Sequence, residues 1–138
     1  MTSLLIALGT RPEIIKMAPI IKALANLGES FKTVHSGQHY DYNLSLQFVE
    51  ELGLPPPEYS LKIREVSPSR QTGRIIIGLE KVIKREKPRI TLVEGDTNTV
   101  LAVAIASNKQ NVAVGHVEAG LRSFDLRMPE EHNRRLVD

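Results

Sequence analysis

Apolar runs punctuated by glycine and proline divide this chain into alternating strands and helices. Leu4-Leu5-Ile6-Ala7-Leu8 is a continuous apolar run ending at Gly9, the pattern of a central parallel strand. Pro12 suits the first turn of a following helix, where its missing N–H costs nothing. Ile14, Ile15, Ala18, Ile21, Ala25 and Leu27 give that helix an apolar face, and Gly28 closes it. Pro19 lies inside the pattern and predicts a kink or break near Met17-Ala18. Phe31 to His35 reads as a second strand, with Gly37-Gln38-His39 as the loop after it. Tyr42 to Leu52 reads as a helix closed by Gly53, and Pro55-Pro56-Pro57 enforces an extended connection. A short strand is expected over Tyr59 to Ile63. Ser67 as N-cap and Pro68 at the first helical position open a helix to about Lys87, with Ile75, Leu79, Val82 and Ile83 inward. Beyond Pro88, Ile90 to Val93 is a strand ending at Gly95-Asp96, and Thr97 to Lys109 is a small-residue helix suited to close packing on a sheet. Val112 to Val117 is a further strand ending at Glu118-Ala119-Gly120, and a last helix starts at Glu130.

This order predicts an α/β fold, a Rossmann-like three-layer sandwich with a mostly parallel sheet and helices on both faces. Residues 1–138 read as one domain, without repeat, low-complexity tract or linker. The last helix has no closing Gly or Pro before Asp138, so the expectation is that these residues belong to something longer.

Composition narrows the function classes only slightly. A net charge of +2 is too small to argue for nucleic acid or a membrane surface as partner. The absence of cysteine excludes disulfides and thiolate zinc sites, and fits a cytoplasmic location. The run from Leu4 to Leu8 is too short for a signal peptide or a membrane span.

In an open parallel sheet, ligands bind beyond the carboxyl ends of the strands. Three polar clusters fall there: Gly9-Thr10-Arg11-Pro12-Glu13, Glu94-Gly95-Asp96-Thr97, and His116 to Arg122. They are expected to converge on one cleft. Arg11 sits at a helix start, where the dipole disfavours a cation unless an anion also binds. It reads equally as a phosphate contact and as a solvated arginine; Gly9 and the helix start supply phosphate-binding geometry, without a Walker or GxGxxG pattern. Lys16, one turn on, has the ordinary reading of a surface lysine. Asp96 or Thr97 can cap the helix after them. Glu118 ends an apolar strand among small residues, a costly place for a carboxylate that is neither paired nor used. Glu130 and Glu131 suit a helix start, and intrahelical pairing of Arg134 and Arg135 with them is the plain expectation. His35 and His39 do not make a metal site by themselves. The residues thus describe a cleft with carboxylates, a lysine and an arginine, suited to proton transfer on an anionic ligand.

Five stretches go further. Gly9 to Pro19 (GTRPEIIKMAP), Gly37-Gln38-His39, Gly95 to Thr99, Gly115 to Ser123 (GHVEAGLRS) and Met128 to Arg134 (MPEEHNR) resemble, in order and separation, the motifs of the non-hydrolysing UDP-N-acetylglucosamine 2-epimerases. The Ser123-Phe124-Asp125 and Met128 variants resemble archaeal members more closely. The resemblance implies two Rossmann-like domains facing a cleft, as in glycosyltransferases of the B type, with this chain as the N-terminal one and the C-terminal domain absent from it. It implies interconversion of UDP-GlcNAc and UDP-ManNAc through C2 proton removal, UDP elimination and re-addition, with no cofactor and no metal. It carries over Lys16, Asp96, Glu118 and Glu130 as the catalytic group, and Arg11, Gln38, His39 and Arg134 as substrate contacts. A homodimer, a partner chain or domain supplying the missing half, and an exposed apolar face where that half docks are expected with it. So is a supply of ManNAc units for surface polysaccharide. On this reading the chain alone is inactive, or nearly so, unless a separate polypeptide supplies the missing half. The competing readings are a non-catalytic or split-subunit nucleotide-sugar module, a hydrolysing UDP-GlcNAc 2-epimerase and, last, half of a glycosyltransferase.

Overall fold

The computed structural model describes residues 2–37, 42–64 and 66–138, Tyr42 by its backbone alone. Strands and helices alternate along them: β1 (Leu4–Leu8), α1 (Arg11–Asn26), β2 (Phe31–His35), α2 (Tyr42–Glu51), β3 (Tyr59–Ser60), α3 (Pro68–Glu86), β4 (Ile90–Glu94), α4 (Asn98–Lys109), β5 (Ala113–Val117) and α5 (Pro129–Val137). The strands pair in the order β3-β2-β1-β4-β5. Every pairing is parallel, with Leu4 opposite Phe31 on one side and Ile90 on the other. Parallel neighbours need a crossover between them, and the helices provide it.

Successive side chains of a strand point to opposite faces, so the all-apolar β1 feeds two cores at once. Leu5 and Ala7 pack with Val34, Val93, Ile75 and Leu79 of α3 and Val100 and Val103 of α4. Ile6 and Leu8 pack with Ile14, Met17 and Ile21 of α1 and Val49 of α2. The result is the expected three-layer sandwich. All four residues expected to point inward from α3 (Ile75, Leu79, Val82 and Ile83) are buried. No described helix is long and apolar enough to cross a membrane.

Four local expectations change. Ile15, Ala25 and Leu27, expected on the apolar face of α1, are exposed, while Ile14, Met17 and Ile21 carry its packing. Helix α1 runs unbroken through Pro19. Pro19 and Ile15 both lie on the exposed side, so the Ile15 carbonyl, which lacks its i+4 donor, meets water instead of the core. Strand β3 is only Tyr59–Ser60 and stops short of Ile63. There Lys62 takes a left-handed backbone (φ 55°), which ends the ladder. Ser67 stands at the N-cap of α3, but its side chain makes no capping hydrogen bond. Pro68 at the helix start fixes that boundary without one. At the other end Lys87, in the left-handed region at φ 49°, donates its N–H to the Ile83 carbonyl and closes the helix before Pro88.

The topology also places the site. The chain builds outward from β1 through β2 to β3, then returns to lay β4 and β5 on the other side. The strand order reverses between β1 and β4, and a crevice opens beyond their carboxyl ends.

Candidate active site

The turn after β1 is organised by Glu13. Its carboxylate is 2% exposed and accepts the backbone N–H of Gly9 at 3.0 Å, the N–H of Thr10, and the Thr97 hydroxyl at 2.8 Å. Thr10-Arg11-Pro12-Glu13 is a capping box, so the helix start is satisfied by its own side chain. This corrects the expected phosphate cradle: the Gly9 and Thr10 N–H groups are already occupied by a carboxylate. Burial pushes the Glu13 carboxyl up, against the pull of those donors.

One turn along α1, Lys16 reaches over the ends of β4 and β5. Its Nζ lies 2.6 Å from Glu118 Oε2 and 3.3 Å from Glu94 Oε1. The surface-lysine expectation is therefore corrected: the stem is half exposed, but the ammonium closes a three-residue cluster. Glu94 is the last residue of β4 and its side chain is 3% exposed. Glu118 follows β5 with a left-handed backbone (φ 73°), uncommon for a residue with a Cβ. That conformation turns the chain out of the strand and brings the carboxylate to Lys16. The two carboxyls share this one ammonium. Burial, then the Glu118 contact, pushes Glu94 up to about 7. The hydrogen bonds from Glu94 and Lys16 hold Glu118 below its ordinary range, and Lys16 is raised in turn by Glu118 and then Glu94. Below about pH 7 the cluster therefore offers a proton-bearing carboxyl beside an ionised one.

These groups line a cavity of about 130 Å³, walled by Thr10, Pro12, Glu13, Lys16, Glu94, Gly95, Asp96, Thr97 and Glu118. All three sequence clusters thus converge, as expected. That volume is well below the roughly 300–1,000 Å³ of a whole ligand pocket. It suits a reacting centre, with the rest of a ligand held elsewhere. A larger hollow of about 490 Å³ along β5, between α4 and α5, is walled mostly by aliphatic side chains and contains no carboxylate.

Helix α5 braces the site from one side. Asn133 donates to the Asp96 carbonyl at 2.9 Å and to Asn98 Oδ1 at 3.2 Å. Arg134 holds the Asp96 carboxylate through Nε at 3.0 Å and Nη2 at 2.7 Å. Asp96 is thus an ion-pair partner, while Thr97 caps α4 by accepting the Val100 N–H. His116 Nε2 contacts the Gly95 carbonyl at 2.7 Å, and its Nδ1 the Asp138 carboxylate. Both sides of the Gly95-Asp96 turn are therefore fixed.

Intrahelical pairing on α5 goes to one glutamate only. Glu131, fully buried, accepts from Arg134 and Arg135 and from the Ser123 and Phe124 backbone N–H groups at 3.0 and 3.1 Å. The backbone N–H of Ser123 and the other donors hold its pKa down at about 2. Glu130 points outward and stands apart from the lysine cluster, so the expected Glu130 pairing does not form among the described contacts. Arg11 is exposed and lies over the Phe48 ring at 6.0 Å, a cation–π distance. Gln38 and His39 lie outside the described residues. Sequence reasoning placed Glu13 and Glu94 in the polar clusters and Glu131 at a helix start, without singling any of them out for the role it has here. The capping-box spacing was a usable signal for Glu13, and a carboxylate ending an apolar strand was a usable one for Glu94. For Glu131 the local spacing gave the Arg134 and Arg135 pairing, but nothing local marks its hold on the backbone seven and eight residues back.

With this geometry in hand, the chain was compared with known proteins. The family profile described as UDP-N-acetylglucosamine 2-epimerase matches residues 22–138. A Methanocaldococcus jannaschii protein named UDP-N-acetylglucosamine 2-epimerase is 53% identical over 133 residues, covering 96% of this chain and 36% of that protein. A Pseudomonas aeruginosa protein named UDP-2,3-diacetamido-2,3-dideoxy-D-glucuronate 2-epimerase is 47% identical, covering 98% of this chain and 38% of its own length. The M. jannaschii UDP-GlcNAc 2-epimerase crystallised with UDP-GlcNAc and UDP superposes with a TM-score of 0.94 at 51% identity, over 99% of this chain and 38% of that one. This chain therefore spans little more than a third of the length of the relatives it matches. Agreement at this level over nearly every residue assigns the sequence: it belongs to the UDP-N-acetylglucosamine 2-epimerase family.

Proposed function

We propose that this chain supplies the N-terminal catalytic face of an enzyme that interconverts UDP-GlcNAc and UDP-ManNAc. The observation that carries the reading is Lys16 Nζ bridging Glu118 and Glu94 at the carboxyl edge of the sheet. Epimerisation at C2 needs a group that takes a proton and a group that returns one, both working near neutrality. In the reaction read here the C2–H bond breaks, its electron pair forms the C1–C2 double bond, and the C1–oxygen bond to UDP breaks. The proton passes to a carboxylate of the cleft. UDP then adds back, and a proton is delivered to the other face of C2.

Lys16, Asp96 and Glu118 are the proposed proton-transfer residues at the cavity, with Arg134 holding Asp96 in place. Glu130, at the start of α5 and outside the cavity wall, is proposed as the fourth. Arg11, Gln38, His39 and Arg134 are the proposed substrate contacts. The cavity is far smaller than a nucleotide sugar requires, which supports a site completed by further polypeptide. The Pseudomonas relative's name supports a second sugar, a UDP-linked diacetamido-glucuronate, as the alternative substrate.

The test is a chimera in which residues 2–138 replace the corresponding segment of the M. jannaschii relative. It is assayed with UDP-GlcNAc and with UDP-2,3-diacetamido-glucuronate. Formation of the 2-epimer from one of them supports the reading and names the sugar. Release of free ManNAc with UDP would point to hydrolysis, and a folded chimera without activity on either would refute the reading.

A further inference from the structure

The proton-transfer reading names Glu118 and leaves its neighbour unused. Glu94 is the more buried of the two carboxyls, closing β4 where the strand is walled by α1 and β5. One cation, Lys16, is shared by both. Two ionised carboxylates gathered on one ammonium, at 3.3 and 2.6 Å, would repel strongly in this partly desolvated setting, and one lysine cannot neutralise both. A single proton on one of them removes the repulsion and leaves the trio neutral.

We propose that Glu94 is a positioning residue of the reaction: it holds that proton, and through it fixes Glu118 as the ionised carboxylate facing the cleft. The inference rests on the epimerase reading above. The other charged groups around the pair are accounted for. From α1, Lys16 bridges both and Glu13 is tied to the β1 turn. From the β4–α4 turn, Asp96 is paired with Arg134 of α5. From β5, His116 is engaged with Gly95 and Asp138. Lys16 donates to Glu118, Arg134 adds its charge from α5, and the remaining groups are engaged elsewhere. The burial that pushes Glu94 up to about 7 agrees with the proton residing on it.

In the forward step Glu118 takes the C2 proton while Glu94 keeps its own, so the trio passes from neutral to a single positive charge beside the departing UDP. Raising the pH past neutrality strips Glu94. Glu118 then faces a like charge across the shared Lys16, and the ground state gains a second negative charge that one ammonium cannot balance.

Two measurements test this. The first needs no activity: ¹³C NMR of the 138-residue chain labelled at the glutamate carboxyls. The resonance lost in Glu94→Gln should titrate near neutrality, and the one lost in Glu118→Gln should stay ionised well into acid. If both titrate together in the ordinary carboxylate range, the proposal is overturned. The second is the pH profile of C2 exchange in the chimera. Glu94→Ala should lower kcat about tenfold or more with KM changed by less than about twofold. Glu94→Gln, which keeps a donor, should recover most of that loss and abolish the fall in rate above neutral pH. An unchanged profile in Glu94→Gln would refute the proposal while leaving the epimerase reading intact. Absence of exchange in every chimera would instead refute the epimerase reading, with the NMR titration deciding the proton's place on its own.

Discussion

Gly9 has no room for a methyl group. A Cβ there would lie 2.6 Å from Thr99 Oγ1, 2.9 Å from Glu13 Oε2 and 3.0 Å from Ser36 Oγ. Ser36 and Thr99 are themselves bonded at 2.9 Å, so the cluster cannot yield without breaking buried polar contacts. Gly9→Ala is expected to cost about 1–3 kcal/mol, read from chemical denaturation. Away from the site, Glu86 accepts from the Thr2 hydroxyl at 2.6 Å, from the Tyr59 hydroxyl and from Lys32 at 3.0 Å. The Thr2 and Tyr59 hydrogen bonds lower its pKa from 4.5 to about 2. A depressed carboxylate stabilises the fold above its unfolded pKa, and that stability is lost as the pH falls through the folded one. Stability should therefore drop between about pH 4.5 and pH 2. Glu86→Gln should be less stable than wild type at pH 7, with the difference closing by about pH 2 in a series of urea melts. At this scale the sequence was legible where a single residue broke its local pattern. Glu118, a charge at the end of an apolar strand, announced a partner. Lys16 did not, because a lysine on a helix surface is unremarkable until the fold brings two carboxylates under it.

Elements were easier to read than residues, because periodicity accumulates over many positions. The apolar run of β1 and the inward face of α3 both appeared where the pattern placed them. The misreadings share a cause: a local rule was overruled by what lay on either side. Pro19 breaks no helix because the unpaired carbonyl behind it faces solvent and the apolar face of α1 is held by Ile14, Met17 and Ile21. Pro19→Ala should restore one helical hydrogen bond. The gain is reduced by the larger entropy of the unfolded chain, by about 0.4–1 kcal/mol, leaving a net stabilisation of about 1–2 kcal/mol. A rise in Tm checks it; an unchanged or lower Tm would mean that α1 depends on the proline for its curvature. The helix α5 illustrates the opposite limit. Its motif reads as a run of charges, yet Glu131, Asn133 and Arg134 turn inward to hold the 123–124 backbone and the Asp96 turn. Only tertiary contact reveals that division of labour.

For the molecule as a whole, strand order converts sequence-distant clusters into one site. Thr10, Lys16, Glu94, Asp96 and Glu118 come from three strand ends, and the reversal between β1 and β4 puts them around one cavity. Leu121, Phe124 and Leu126 are 48%, 77% and 57% exposed on the loop before α5. Homology extends over the chain but over little more than a third of each relative, so the chemistry has to be read in a protein that contains the rest. Deuterium incorporation at C2 of the UDP-sugar, followed in heavy water with the chimera, addresses the central claim most directly. The account predicts incorporation by the parent chimera, and its loss by a factor of about 100 or more in Glu118→Gln and Lys16→Ala variants that fold normally. Undiminished incorporation in those two variants would contradict it, because the proton would then be moving through groups other than this cluster.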